Sequence, residues 1–177
     1  IKTKEGAGGS PASTEIALNT ASNIAVSVQS EMQDAVKLII KGQLKAQKRS
    51  VTTITGNTIV LTDNVFNPEV VKILQGGTIT MGTGADISKV IKYAPPVAGS
   101  LEKGEVFELC AYSAVYDAAG ICTGYEKITY PNCEGTPVTM NSEDNVFRAP
   151  EYTINSAPKT GESPYVIEYI SALPVVS

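Results

Sequence analysis

The chain contains no histidine and no tryptophan. Without histidine it lacks the side chain that most often serves as general base or metal ligand near neutral pH. Serine–histidine–aspartate and cysteine–histidine nucleophile pairs are therefore excluded within it. Cysteine is scarce and odd in number: Cys110, Cys122 and Cys133. Three cysteines cannot complete a disulfide framework, and no CxxC pair is present to suggest zinc. They read as reduced, mostly buried thiols of a cytoplasmic product. No apolar run reaches the ~20 residues that cross a bilayer, so no membrane partner is expected. No charged-then-apolar leader opens the sequence as given, which starts at Ile1 rather than methionine and leaves room for residues upstream.

What is present is a globular composition. The 177 residues suit one domain with its own core. A hydrophobic content of 42% and a mean hydropathy of +0.02 speak against disorder. The net charge of -4 is unevenly spread. Residues 1–103 carry 11 basic and 8 acidic side chains, and residues 104–177 carry 3 and 10, so a +3 segment precedes a -7 segment. Solvated surfaces accommodate such a split, but it also suits head-to-tail self-association. "KGQLKAQKR" (41–49) is the densest basic stretch. A solvated strand face explains it as well as the basic patch of a nucleic-acid binder does.

Residues 1–22, rich in Gly, Ala, Ser and Thr, read as a flexible N-terminal arm. Residues 23–177 read as a single β domain. Ile24, Val26, Val28 and Met32 recur with the two-residue period of a half-buried strand. Next, Val36, Leu38, Ile40, Leu44 and Ala46 face one way, while Lys37, Lys41, Gln43, Lys45 and Gln47 face the other. Only Ile39 breaks the polar side. "TGN" (55–57) between "SVTTI" and "TIVLT" signals a hairpin. "TITMG" (78–82) and "ISKVIKY" (87–93) are further strands. Residues 105–130 form a long hairpin about "DAAG" (117–120). "PNCEGTP" (131–137) reads as a loop, and "NVFRAPEYTINS" (145–156) and "PYVIEYISAL" (164–173) as the last strands.

Within this β pattern, "DNVFNPEVVKILQGG" (63–77) specifies one short helix. Asn67 is its cap, Pro68 suits the first position and Glu69 complements the dipole. Val70, Val71, Ile73 and Leu74 supply the apolar stripe. Gly76 and Gly77 end the helix in a left-handed conformation.

Sites of chemistry are not evident. "GGTITMGTG" (76–84) lacks the Lys-Ser/Thr ending of a phosphate loop and the spacing of a dinucleotide fingerprint. Glycines serving turns explain it better. "NSED" (141–144) lacks the alternating oxygens of a calcium loop. Glu108 and Glu126, on two arms of one hairpin, are a carboxylate pair without a sugar cleft. No catalytic residue, cofactor or metal is expected, and the chain is not expected to be an enzyme.

The stretch "AQKRSVTTITGNTIVLTDNVFNPEVVKILQGGTI" (46–79) resembles the major tail tube proteins of tailed bacteriophages of Gram-positive hosts, and "FRAPEYTINSAPKTGESPYVIEYI" (147–170) resembles their closing strands. The resemblance spans about half the chain and rests on pattern rather than on catalytic signatures. It implies a mainly β fold, an antiparallel sandwich or half-barrel flanked by one helix. Subunits would assemble into a ring-closed β-barrel, and stacked hexameric rings would form a virion tube that conducts DNA. Contractile tails and tail-like bacteriocins share this fold. The partners implied are the chain itself, other tail proteins, and DNA in transient passage. Synthesis would be in the host cytoplasm. The arm and long loops would bridge subunits and rings. DNA must slide without sticking, so a neutral or acidic lumen is expected; Glu105, Glu108, Glu126, Glu143 and Asp144 are candidates to line it or to join rings. The competing expectation is a monomeric or trimeric binding module for virion decoration or host attachment.

Overall fold

A computed structural model describes residues 1–3, 15–41, 43–84, 87, 89–139 and 149–174. In chain order the elements are β1 (Lys2–Thr3), β2 (Ala21–Gln33), β3 (Val36–Ile40), β4 (Gln43–Lys48), β5 (Val51–Asp63), α1 (Pro68–Gln75), β6 (Thr78–Met81), β7 (Val90–Ala94), β8 (Phe107–Tyr116), β9 (Cys122–Gly135), β10 (Glu151–Ser156) and β11 (Val166–Ile170). The fold is mainly β with antiparallel pairing. One sheet runs β1-β8-β9-β10-β5-β2, with β11 beside β9, and β3-β4 and β6-β7 form two separate ribbons. Among the described residues the large sheet does not close into a barrel. Its well-separated strands β2 and β8 instead wall a single groove of about 640 Å³.

The core lies between one face of this sheet and α1. Ile59 and Leu61 of β5, Tyr152 and Ile154 of β10, Cys133 and Tyr130 of β9, and Phe107 and Leu109 of β8 face Val70, Val71, Ile73 and Leu74 of the helix. The helix forms as its local sequence dictates. The Asn67 side chain accepts from the backbone N–H groups of Glu69 (3.0 Å) and Val70 (3.5 Å). At the other end Gly76 N donates to Lys72 O at 2.8 Å. Gly76 and Gly77 have positive φ (82° and 98°). With ψ at -163°, Gly76 lies outside the left-handed helical basin, in a region essentially confined to glycine. The helix is seated unusually close to β9: a Cβ placed on Gly135 would lie 2.5 Å from both Cα and Cβ of Leu74.

Three expectations are corrected. Residues 55–57 are not a turn, because β5 runs unbroken from Val51 to Asp63. Gly56 is there for clearance: a side chain would strike the Ser156 carbonyl of β10, opposite a register shift at Gln29/Ser30 of β2. Residues 131–135 are not a loop, because β9 continues to Gly135. Pro131 is tolerated where β9 is irregular. β11 pairs with residues 125–129 and β10 with 133–135, so no ladder bond is needed between. Finally, β2 is not half-buried. All 13 of its residues are exposed, because β2 stands at the end of the sheet, beyond the strands that α1 packs against.

Candidate assembly surface

The helix residues singled out from sequence all fall where expected: Asn67 and Pro68 start α1, Val70, Val71 and Leu74 are 0–1% exposed, and Gly76 and Gly77 follow it. They shape the core and present nothing to a ligand. The acidic candidates do not converge. Glu126 opposes Ser113, five positions along β8 from Glu108, a separation of about 17 Å that exceeds any glycosidase carboxylate pair. Glu105 is exposed and its backbone N–H donates to Ile73 O at 2.8 Å, fastening the connection to the helix end. Glu143 and Asp144 lie outside the described residues, as does much of the 1–22 arm.

Other residues do form a coherent surface. On the face of the sheet away from the core, Gln29 Nε2 donates to Thr58 Oγ1 at 2.6 Å, and Thr58 Oγ1 donates to Asn155 Oδ1 at 3.2 Å, linking β2, β5 and β10 side by side. The registers Thr62↔Glu151, Val60↔Thr153, Thr58↔Asn155 and Asn155↔Glu134 put these residues on the same face. The face is hydroxyls, amides, Val60 and two glutamates, and those residues include no lysine or arginine. Glu134 and Glu151 were missed from sequence. The alternation in "EYTINS" (151–156) was the signal for Glu151: Tyr152 and Ile154 inward, Glu151, Thr153 and Asn155 outward.

A second exposed surface is aliphatic. Beyond the core, β2 and the first half of β5 form a two-stranded ribbon that ends at the pair Gln33↔Val51, and the β3-β4 hairpin is its continuation. Met32 is 70% exposed, Val36 64%, Ile39 60% and Leu44 56%. Among the described residues each strand of the hairpin pairs only with the other. A register shift between Leu38 and Ile39 sets Ile39 opposite Leu44, while Leu38 opposes Ala46. Directly opposed residues share a face. The expected division into one apolar and one basic face is therefore corrected: the bulge carries Leu44 over to join the otherwise isolated Ile39. The hairpin thus has an aliphatic pair on both faces.

The groove between β2 and β8 has an apolar wall and a charged rim. Leu18, Ile24, Leu61, Leu109 and Leu173 line it. On its rim Lys2 Nζ meets Glu15 at 2.9 Å and Lys127 Nζ meets Glu168 at 2.7 Å. Hydrogen bonding from Lys2 holds the Glu15 carboxyl below the usual glutamate range, and Glu168 raises Lys127. Burial raises the Tyr112 phenol beside them. Glu108, also on the rim, stands directly opposite Lys2 in the β1–β8 pair, and its charge adds to that of Glu15 in raising the Lys2 ammonium. Those residues include no group of three or more His, Cys, Asp or Glu able to hold a metal, and no helix long and apolar enough to cross a membrane. No protein-family model matches the chain, and no curated protein matches it.

Proposed function

We propose that the chain is a structural protein that assembles with copies of itself into rings and, by stacking, into a tube of the phage-tail kind that conducts DNA. The observation that carries this is the β2–β5 ribbon with its hairpin. A 13-residue strand that pairs on one side only among the described residues, followed by a hairpin with aliphatic side chains on both faces, is a surface that monomeric proteins rarely leave unprotected. Pairing β2 with an edge strand of the next copy removes the open edge, and repetition around a ring removes every such edge. The face of Gln29, Thr58, Thr153, Asn155, Glu134 and Glu151 supports the conduit part of the proposal. Such a face offers phosphates no cation to bind, as a lumen for sliding DNA requires.

The test is light scattering with negative-stain microscopy of purified full-length protein. Rings or hollow tubes are expected. A sharp monomer or trimer at every concentration would reject assembly and favour a decoration or attachment module.

A further inference from the structure

We infer that the β3-β4 hairpin is a lipid-contact element, which adsorbs to the headgroup region of an anionic bilayer with Val36, Leu38, Ile40 and Ala46 against the acyl boundary. The inference goes beyond self-assembly and does not rest on it.

The two faces of the hairpin are unequal. Directly opposed residues share a face, and the pairs Val36↔Lys48, Leu38↔Ala46 and Ile40↔Gln43 gather three large aliphatic side chains and Ala46 on one of them. Leu38 is 52% exposed and Ile40 47%. The opposite face sets Ile39 and Leu44 beside Lys37 and Gln47 and is the more polar. Cations frame the aliphatic face. Lys41 stands in the turn, Lys45 is the extra residue of the bulge, and Lys48 closes the far end with Arg49 after it.

This charge is not neutralised within the molecule. Residues 35–62 hold Lys37, Lys41, Lys45, Lys48 and Arg49 and no Asp or Glu. Among the described residues none of the five meets a carboxylate; Lys45 Nζ donates to Gln43 Oε1 at 2.9 Å instead. An anionic surface is what such a set attracts, and the aliphatic side chains decide which. A nucleic acid would engage the cations but leave Val36, Leu38 and Ile40 in water, and residues 21–62 hold no aromatic ring on which a base could stack. An acidic protein patch would have to supply carboxylates and apolar pockets in one fixed register. An anionic bilayer supplies phosphates and, just beneath them, hydrocarbon, with no register to match. Lysine stems lie along the apolar surface while their ammonium groups reach the headgroups. Adsorption needs no spanning segment. Each strand pairs on one side only, so its outer N–H and C=O groups must stay hydrated, which confines the hairpin to the interface.

Vesicle flotation of the full-length protein separates lipid binding from self-assembly, because vesicles rise and tubes sink. The protein is expected to float with phosphatidylcholine vesicles that contain phosphatidylglycerol and to stay behind with phosphatidylcholine alone. Raising salt from about 0.1 to about 1 M should cut the floated fraction severalfold. Lys41→Gln, Lys45→Gln and Lys48→Gln together should abolish flotation. Leu38→Ser with Ile40→Ser should lower it severalfold at unchanged charge. The chain has no tryptophan, so an introduced one reports on its own position. Ile40→Trp emission should shift to the blue on adding the anionic vesicles, and Leu44→Trp, on the other face, much less. Absence of flotation with phosphatidylglycerol, flotation that survives both sets of substitutions, or equal blue shifts at positions 40 and 44 overturns the inference. Retention by duplex DNA in place of flotation makes nucleic acid the occupant and overturns it as well. Flotation of a protein that forms neither rings nor tubes keeps the inference and rejects the tube; tubes without flotation do the reverse.

Discussion

Replacing Gly135 by alanine tests how the helix is held on the sheet. Gly135 has no positive φ, so alanine adopts its backbone conformation without strain, and any cost comes from contact. The new methyl would lie 2.5 Å from Leu74 Cα, 2.5 Å from Leu74 Cβ and 2.6 Å from Leu74 Cδ2. Two of those three atoms cannot leave by a rotamer change, so α1 itself must retreat by about 1 Å to reach ordinary carbon–carbon contact near ~3.5 Å. A gap of that size forfeits a quarter to a half of the dispersion attraction across it, and Val70, Val71, Ile73 and Leu74 all face it. Overpacked cores lose typically ~1–3 kcal/mol and occasionally more; an entire helix face shifts here, so the expected loss is about 2–4 kcal/mol. At ~2–4 °C per kcal/mol for a chain of this size, the melting temperature should fall by roughly 4–16 °C in a calorimetric scan. Gly120→Ala is the control. Its φ is 79° with open space around it, so it costs only the ~1–2 kcal/mol of a left-handed alanine. Leu74→Ala, itself worth ~2–5 kcal/mol, removes Cδ2 but not Cα or Cβ, and should leave most of the Gly135→Ala penalty in place in the double variant. A Gly135→Ala protein that melts within ~2 °C of the parent, or one rescued by Leu74→Ala, would refute seating by backbone contact.

Further outcomes are expected. Asn67→Ala removes the oxygen that accepts from Glu69 and Val70 and should cost about 1 kcal/mol in urea unfolding; no loss would mean the cap is idle. None of the three cysteines is in a disulfide, so denatured protein without reductant should titrate three thiols, with exposed Cys122 reacting first and buried Cys133 last in the native state; a single thiol would show a disulfide. Glu15 titrates below its ordinary 4.5 because Lys2 hydrogen-bonds it. Its contribution is present above that ordinary value and fades as pH falls through the depressed one, and Lys2→Gln should return its carboxyl NMR titration to the ordinary range. Assembly should slow as salt rises from 0.1 to 1 M, where the Debye length shrinks from ~10 to ~3 Å, while finished assemblies persist; a light-scattering rate that is flat or rises with salt would make the charge split incidental.

The parts of the fold legible in the sequence are those whose cause is local. Asn67, Pro68, Glu69 and the glycines at 76 and 77 act within a few residues of themselves, and the helix stands between Pro68 and Gln75 as they require. The turn at 117–120 is equally self-contained: Asp117 Oδ1 accepts from the N–H groups of Ala119 and Ile121. Misreadings arose where a residue answers to a distant partner. Gly56 resembles a turn glycine until Ser156, a hundred positions on, is brought against it. Pro131 resembles a strand breaker until β10 and β11 are seen to divide β9 on either side of it. Leu44 joins Ile39 through a bulge that strict alternation cannot foresee. The polar face with Glu134 and Glu151 needed the order β9-β10-β5-β2, which strand periodicity alone does not supply.

The two exposed surfaces are guarded differently, and that difference bears on how copies meet. Natural edge strands are blunted with lysine, proline, brevity or an inward charge. β2 is 13 residues long, contains no lysine or proline, and has Glu31 as its one charged residue. Register shifts near Asn23 and between Gln29 and Ser30 are its only irregularities. The hairpin carries as much exposed aliphatic surface but interleaves it with Lys37, Lys41, Lys45 and Lys48. Charge keeps like hairpins apart, since four lysines on each repel at short range, and favours approach to an acidic surface. The β2 edge has no such filter, because backbone groups pair with any strand presented in register. In the proposed assembly, discrimination would reside in the hairpin and adhesion in the edge. A chain so built is protected from indiscriminate edge pairing only if charge-selected contact forms first, or if copies are rare enough that edges seldom meet. Neutralising the hairpin lysines together should then do more than slow assembly: it should turn ordered growth into amorphous aggregation through β2.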